Sequence, residues 1–277
     1  MNKFLLISLL LLVSSMPAAA QGTGSSLTLP ISLPGGLLGG AVTGQLTVSF
    51  ESVNGLTPDH LGASAQLVSL LDPSLLSRLP SLVSLLSGFP VLVRVEPPAA
   101  GGLAFNGVTT VEVVTASLPL LSAPRLYTAP LGGNFQDITT SVVRGGSGMN
   151  RNYRVQGTSG GFSEFLVILD LTPVDQVIGA KLDRLDQILA ANAGAMPDAV
   201  HADLASQLAA IRSLATPGNE TAAIQALDNF NSTVTAHSGT DIPDLWRSIR
   251  DVVNVAGQLR AAAATLQFSL GVRQGSS

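Results

Sequence analysis

Polar and apolar residues alternate along the first half of the chain and recur every three to four positions along the second. Within 27–171 the alternation is clearest at Val42, Leu46, Val48 and Phe50, which share one face of an extended segment, with Thr43, Gln45, Thr47, Ser49 and Glu51 on the other. That is the period of a half-buried strand. Similar runs occupy 63–70, 91–96, 108–115, 125–128, 138–144, 152–156 and 162–169. Between them, Asn54-Gly55 and Asn106-Gly107 predict turns that need positive φ, and Pro97-Pro98 and Gly132-Gly133 interrupt any helix. Asp72 as a cap, with Pro73 at the first helical position, predicts one short helix over 72–79. Eight or nine short strands without intervening helices predict an antiparallel β-sandwich over 21–171.

After Leu171 the period becomes helical. Thr172-Pro173-Val174-Asp175 reads as cap, first-turn proline and first-turn acid, and Ile178, Leu182, Leu185 and Leu189 follow at helical spacing. A second helix starts at Pro197-Asp198 and aligns Val200, Leu204, Leu208 and Ile211 before Thr216-Pro217-Gly218-Asn219 stops it. The third aligns Ala223, Leu227, Phe230 and Val234 and ends at Ser238-Gly239. A fourth is expected from Asp241-Ile242-Pro243-Asp244, burying Leu245, Ile249, Val252, Ala256, Leu259 and Ala263. Short connections make successive helices antiparallel neighbours. The expectation is a two-domain α+β chain with an up-down four-helix bundle over 172–268 and a flexible tail at 269–277.

The first twenty residues read as a targeting segment. Met1-Asn2-Lys3 gives a positive start, residues 4–13 are an apolar run of ten, and Ala18-Ala19-Ala20 offers small residues for cleavage after Ala20. Ten apolar residues cover about half of the roughly 30 Å hydrocarbon core, so a cleaved signal peptide is expected rather than a membrane anchor. The chain would then be secreted or periplasmic and not an integral membrane protein. With no cysteine, export fits a bacterial envelope, and disulfide scaffolds and thiolate chemistry are excluded. Fourteen Lys plus Arg against 18 Asp plus Glu leave no basic footprint for nucleic acid. Beyond Lys3, Lys181 is the only lysine.

Candidate chemistry is sparse. Gly157-Thr158-Ser159-Gly160-Gly161 fits a nucleophile elbow, but an elbow leads into a helix and 162–169 reads as a strand, so a glycine-rich hairpin turn is expected. His60, His201 and His237 are too scattered for a zinc site, and no metal, cofactor or catalytic residue is assigned. His237 is expected to meet the last carbonyls of its helix or the Asp241 loop. The loop 144–154, where Arg144, Arg151 and Arg154 bracket a glycine-rich segment and Tyr153 adds a ring, is the candidate site for an anionic glycan or lipid headgroup. Trp246, the only tryptophan, is the candidate contact between the two domains.

The stretch 230–239, with Phe230, Val234, Ala236, His237, Gly239 and Ile242, resembles the helical FIMAH-type module found at the ends of secreted bacterial proteins. Pro90-Val91-Leu92-Val93-Arg94-Val95, Phe135-Gln136-Asp137-Ile138-Thr139 and Gly161-Phe162-Ser163-Glu164-Phe165 resemble the sandwich domain shared by zonula-occludens proteins and netrin receptors. The whole layout resembles an uncharacterised family of secreted proteobacterial proteins. These resemblances imply folds and an extracellular setting, not an activity. The expected function is binding or scaffolding, with a glycan, an envelope component or another envelope protein as partner. Two alternatives stay open: a hydrolase of an envelope polysaccharide or peptidoglycan using Asp137, Glu164 or Asp170, and a periplasmic carrier of an apolar ligand inside the bundle.

Overall fold

The computed structural model describes residues 14–15, 21–35, 40–118, 123–146 and 152–275. In chain order it has β1 (Ser14–Ser15), β2 (Gln21–Thr23), β3 (Ser26–Leu33), β4 (Val42–Asn54), the single-turn helix α1 (Pro58–Leu61), β5 (Ala63–Leu67), α2 (Pro73–Leu76), β6 (Val83–Leu85) and β7 (Val91–Val95). Next come β8 (Ala104–Thr115), β9 (Pro124–Ala129), β10 (Gln136–Asp137), β11 (Thr139–Gly145), β12 (Asn152–Ser159) and β13 (Glu164–Asp170). Helices α3 (Val174–Ala191), α4 (Asp198–Leu214) and α5 (Glu220–His237) follow, then a two-residue strand β14 (Trp246–Arg247) and α6 (Val255–Gln274). The chain is α+β, strands before helices. Apart from Ser14–Ser15, which pairs with β5, the expected leader at 1–20 lies outside the described residues.

The strands form two antiparallel sheets. One runs β1-β5-β7-β13-β9-β10, with β6 also on β13, and the other runs β11-β12-β8-β4-β3-β2, with β14 on β8. In the second sheet Leu46 lies opposite both Leu29 and Val113, so alternation sends Leu29, Leu46, Val111, Val113 and Val155 to one face. There they share a core with Val91, Val93, Phe165 and Val167 of the first sheet. Each such side chain contributes roughly 1.5–3 kcal/mol by leaving water.

The helices bury a separate core in which Leu185, Leu204, Phe230 and Leu259 are fully enclosed. Helix α6 packs against α3 and α5 and also against β8, β11 and β12. It is consequently buried nearly all round, and Ala256, Ala261, Ala262 and Ala263 keep it slim enough to fit. Two glycines permit the closest approach. A Cβ at Gly160 would lie 2.4 Å from Gln258 N, and one at Gly257 would lie 2.3 Å from Gly107 O.

Three expectations are corrected. Asn106-Gly107 is not a turn but a bulge inside β8: the register with β4 slips between Phe50–Thr109 and Ser52–Asn106, and Gly107 adopts φ 73°. Glycine at positive φ is what such a bulge requires. Segment 241–254 is not the start of the fourth helix. Trp246 and Arg247 pair instead with Phe105 and Ala104, Arg250 takes φ 56°, and Ile249 is 54% exposed, so tertiary pairing overrides the helical spacing. Nor is 269–277 a free tail, because α6 continues to Gln274 and buries Leu270 and Arg273.

The bulge is where the helical half attaches. Gly107 N donates to Asp244 Oδ1 at 2.9 Å, and Gly107 O accepts from Asn254 Nδ2 at 2.7 Å. Asn254 Oδ1 in turn accepts from Gly257 N at 2.8 Å and caps α6. No helix among the described residues is long and apolar enough to cross a membrane. Asn254→Ala removes a cap and strands a buried carbonyl, and a loss of about 2–4 kcal/mol in urea unfolding is expected. Gly179→Ala, in the α3 interior with nothing within 4 Å of the added carbon, should instead gain up to about 1 kcal/mol.

Candidate functional site

Strands β4, β8 and β12 lie across from α5 and α6, and an open groove of about 820 Å³ runs between them. Its walls carry Ser49, Thr110, Thr158, Ser232 and Thr235 hydroxyls, with Asn231, Asp228, Glu51 and Arg260. Arg260 clamps Glu51 in a two-pronged pair, Nη1 to Oε2 at 2.8 Å and Nη2 to Oε1 at 2.7 Å, so their charges cancel at the groove edge. Gln267 Nε2 donates to Asp228 Oδ1 at 2.6 Å. Asn231 Oδ1 is enclosed without a hydrogen-bond partner among the described residues. Hydroxyls, amides and a neutralised ion pair, with Asp228 as the one uncompensated charge, suit a polar ligand that carries no negative charge.

A second polar centre lies where β10 meets α3 and α6. Lys181 is 5% exposed, with Nζ 2.7 Å from Asp137 Oδ2. Nζ also donates to Thr265 O and Ser269 Oγ, each at 2.9 Å. Asp137 Oδ1 accepts from Thr139 N at 2.8 Å and from Thr139 Oγ1 at 2.6 Å. Beside them Tyr127 donates its hydroxyl to Asp170 Oδ2 at 2.8 Å. Burial pushes the Lys181 ammonium below its ordinary value, against the pull of Asp137. Burial, then the negative charges of Asp137 and Asp170, hold the Tyr127 phenol far above its ordinary 10.0. Lys181 escaped the sequence reading although its spacing was informative: it sits at the position between Ile178 and Leu185 that belongs to the apolar stripe of α3.

The carboxylates named for hydrolysis are each held by a partner. Asp137 faces Lys181, and Asp170 accepts from Tyr127 and, at 2.8 Å, from Thr172 N. Glu164, 1% exposed, accepts from Arg94 Nε at 2.9 Å and from Arg78 Nη2. Asp175 and Glu220 both bind Arg273, at 2.8 Å each. Ser159 Oγ donates to Gly161 O at 2.8 Å, inside a turn that leads into β13. His237 Nδ1 lies 2.6 Å from Asp241 Oδ2, His60 Nδ1 2.8 Å from Gly55 O, and no metal-binding group of three such residues occurs among the described residues.

Of the loop residues, Arg151 lies outside the described residues. Arg144 is exposed and stands 6.0 Å from the centroid of Tyr153, whose ring is 5% exposed and belongs to the core between the sheets. Arg154 reaches Glu112 on β8 at 3.5 Å. Trp246 is 8% exposed, stacks on Phe105 with centroids 5.2 Å apart, and meets Phe162 edge-on at the same distance.

Residues 8–274 match the model of a family of unknown function, DUF6689, and the chain belongs to that family. No curated protein and no solved structure matches it.

Removing one member of the buried pair strands the other's charge. Lys181→Met and Asp137→Asn are each expected to cost about 3–5 kcal/mol, and the double variant clearly less than their sum, which a double-mutant cycle by urea unfolding measures. Alkaline pH provides a second check. A phenol held above its unfolded value stabilises the fold fully below pH 10.0, and that contribution is lost as pH rises toward the folded value. Wild type should therefore lose stability above about pH 10 more steeply than Tyr127→Phe.

Proposed function

We propose that the protein is an exported, non-catalytic binding or scaffolding protein of the bacterial envelope, and that the groove between the second sheet and α5–α6 takes a neutral polar ligand, most simply a glycan chain. The observation that carries this reading is the groove wall itself, where hydroxyls and a self-neutralised Glu51–Arg260 pair offer hydrogen bonds and Asp228, held by Gln267, is the one uncompensated charge. The positive start, ten-residue apolar run and small-residue site at 1–20 support export. In this reading the two sheets are a sandwich and α3 to α6 an up-down four-helix bundle carried on its outer face. Trp246 fixes how the two parts meet. The interior of the helices is filled by Leu185, Leu204 and Phe230, so the ligand is placed outside it.

Sedimentation of the exported chain with peptidoglycan, lipopolysaccharide and soluble polysaccharides, with supernatants assayed for released sugar or peptide, tests the reading. Saturable binding without release is expected, weakened at least about tenfold by Thr235→Trp, which fills the groove. Release of product would replace binding by hydrolysis. Binding indifferent to Thr235→Trp would remove the groove from the account.

A further inference from the structure

Arg184 stands one turn beyond Lys181 on α3 and lines a pocket of about 210 Å³ and another of about 310 Å³, with Asp137 shared between them. The other charged groups around it all have direct partners: Lys181 pairs with Asp137 at 2.7 Å, and Arg212 with both Asp183, at 2.9 Å, and Asp186. Arg184 has none. It is half-buried and, among the described residues, has no hydrogen bond or ion pair. Nothing offsets its burial, which pushes the guanidinium below its ordinary value.

The smaller pocket lies between the Ser159–Gly161 turn, the end of β9 and the first three turns of α6. Two more half-buried polar side chains on its wall, Ser163 and Gln258, likewise make no side-chain hydrogen bond among the described residues. The remaining hydroxyls there are occupied: Ser159 by Gly161 O, Thr128 by Glu164 O, Thr158 by Ala261 O and Thr265 by Ala262 O. Half-buried polar groups without a protein partner are left to water or a ligand, and three such side chains on one cavity wall are free to converge on the same bound group. A guanidinium offers two parallel N–H groups to a planar or tetrahedral oxyanion, and a hydroxyl and an amide complete its coordination.

We propose that Arg184, Ser163 and Gln258 form a binding site for a small ligand bearing an oxyanion, a carboxylate or a phosphate ester, at the junction of β9, the β12–β13 turn, α3 and α6. Its volume lies below the roughly 300–1,000 Å³ of pockets for drug-sized molecules, so the ligand is correspondingly small. This site is separate from the glycan groove, with only Thr158 on both walls, and does not depend on it.

Isothermal titration of the exported chain with inorganic phosphate and, in a second arm, acetate tests the site. One of the two should bind saturably, and the arm that binds more tightly separates phosphate esters from carboxylates. Arg184→Gln should weaken binding at least about tenfold, and Gln258→Leu and Ser163→Ala should weaken it by smaller factors. Unliganded Arg184→Gln should unfold at the same or higher urea concentration than wild type, which a structural arginine would not allow. Absence of binding by both anions, or wild-type affinity in Arg184→Gln, overturns the proposal. Should that variant fail to fold, unchanged affinity in both Gln258→Leu and Ser163→Ala overturns it equally.

Discussion

The attachment of helices to sheets rests on a single backbone irregularity. An unbroken β8 ladder would spend the Gly107 amide and carbonyl on its neighbours; the bulge turns them outward, where Asp244 and Asn254 take them. Because Asn254 also caps α6, the same side chain closes the sheet's irregularity and starts the helix that covers it. Gly257 then comes close enough to Gly107 O to exclude a Cβ, and Gly160 does the same from the β12–β13 turn. Helix and sheet therefore support each other. Parting them opens the cap, the bulge and the Trp246–Phe105 stack together, which favours one cooperative transition over two.

Charge is scarce in this chain, at 12% of residues, yet several of its charged groups are buried. Glu164 with Arg78 and Arg94 ties the segment after α2 and β7 to β13. Lys181 with Asp137 ties α3 to β10, and Arg273 with Glu220 and Asp175 ties the end of α6 to α5 and α3. Burying such groups costs about as much as their attraction returns, so their contribution is to disfavour other arrangements rather than to add net stability. A slipped register at any of these junctions would leave a charge in an apolar interior.

Much of the architecture was legible because it is written in local period. The strand at 42–51 and the stripes of α3, α4 and α5 are one-face patterns, and the change at Thr172 separates them. Segment 241–254 misled because Leu245, Ile249, Val252 and Ala256 repeat helically, while the forces that decide it lie in distant Phe105 and Gly107. Asn106-Gly107 misled for a related reason, since positive φ serves a bulge as well as a turn. The groove was illegible, being assembled from three strands and two helices that share no sequence motif. Lys181 was half legible: a cation on an apolar stripe announces a buried partner, but only the fold identifies it as Asp137.

The scarcity of lysine gives the Lys181 contact another meaning. Apart from Lys3, which precedes the expected cleavage point, Lys181 carries the only side-chain amine in the chain, and it is enclosed between β10 and α6. Reagents that acylate amines thus find almost nothing to modify while the fold is intact. Label at residue 181 counts the molecules in which helices and sheet have come apart, so the native sequence carries its own reporter of opening.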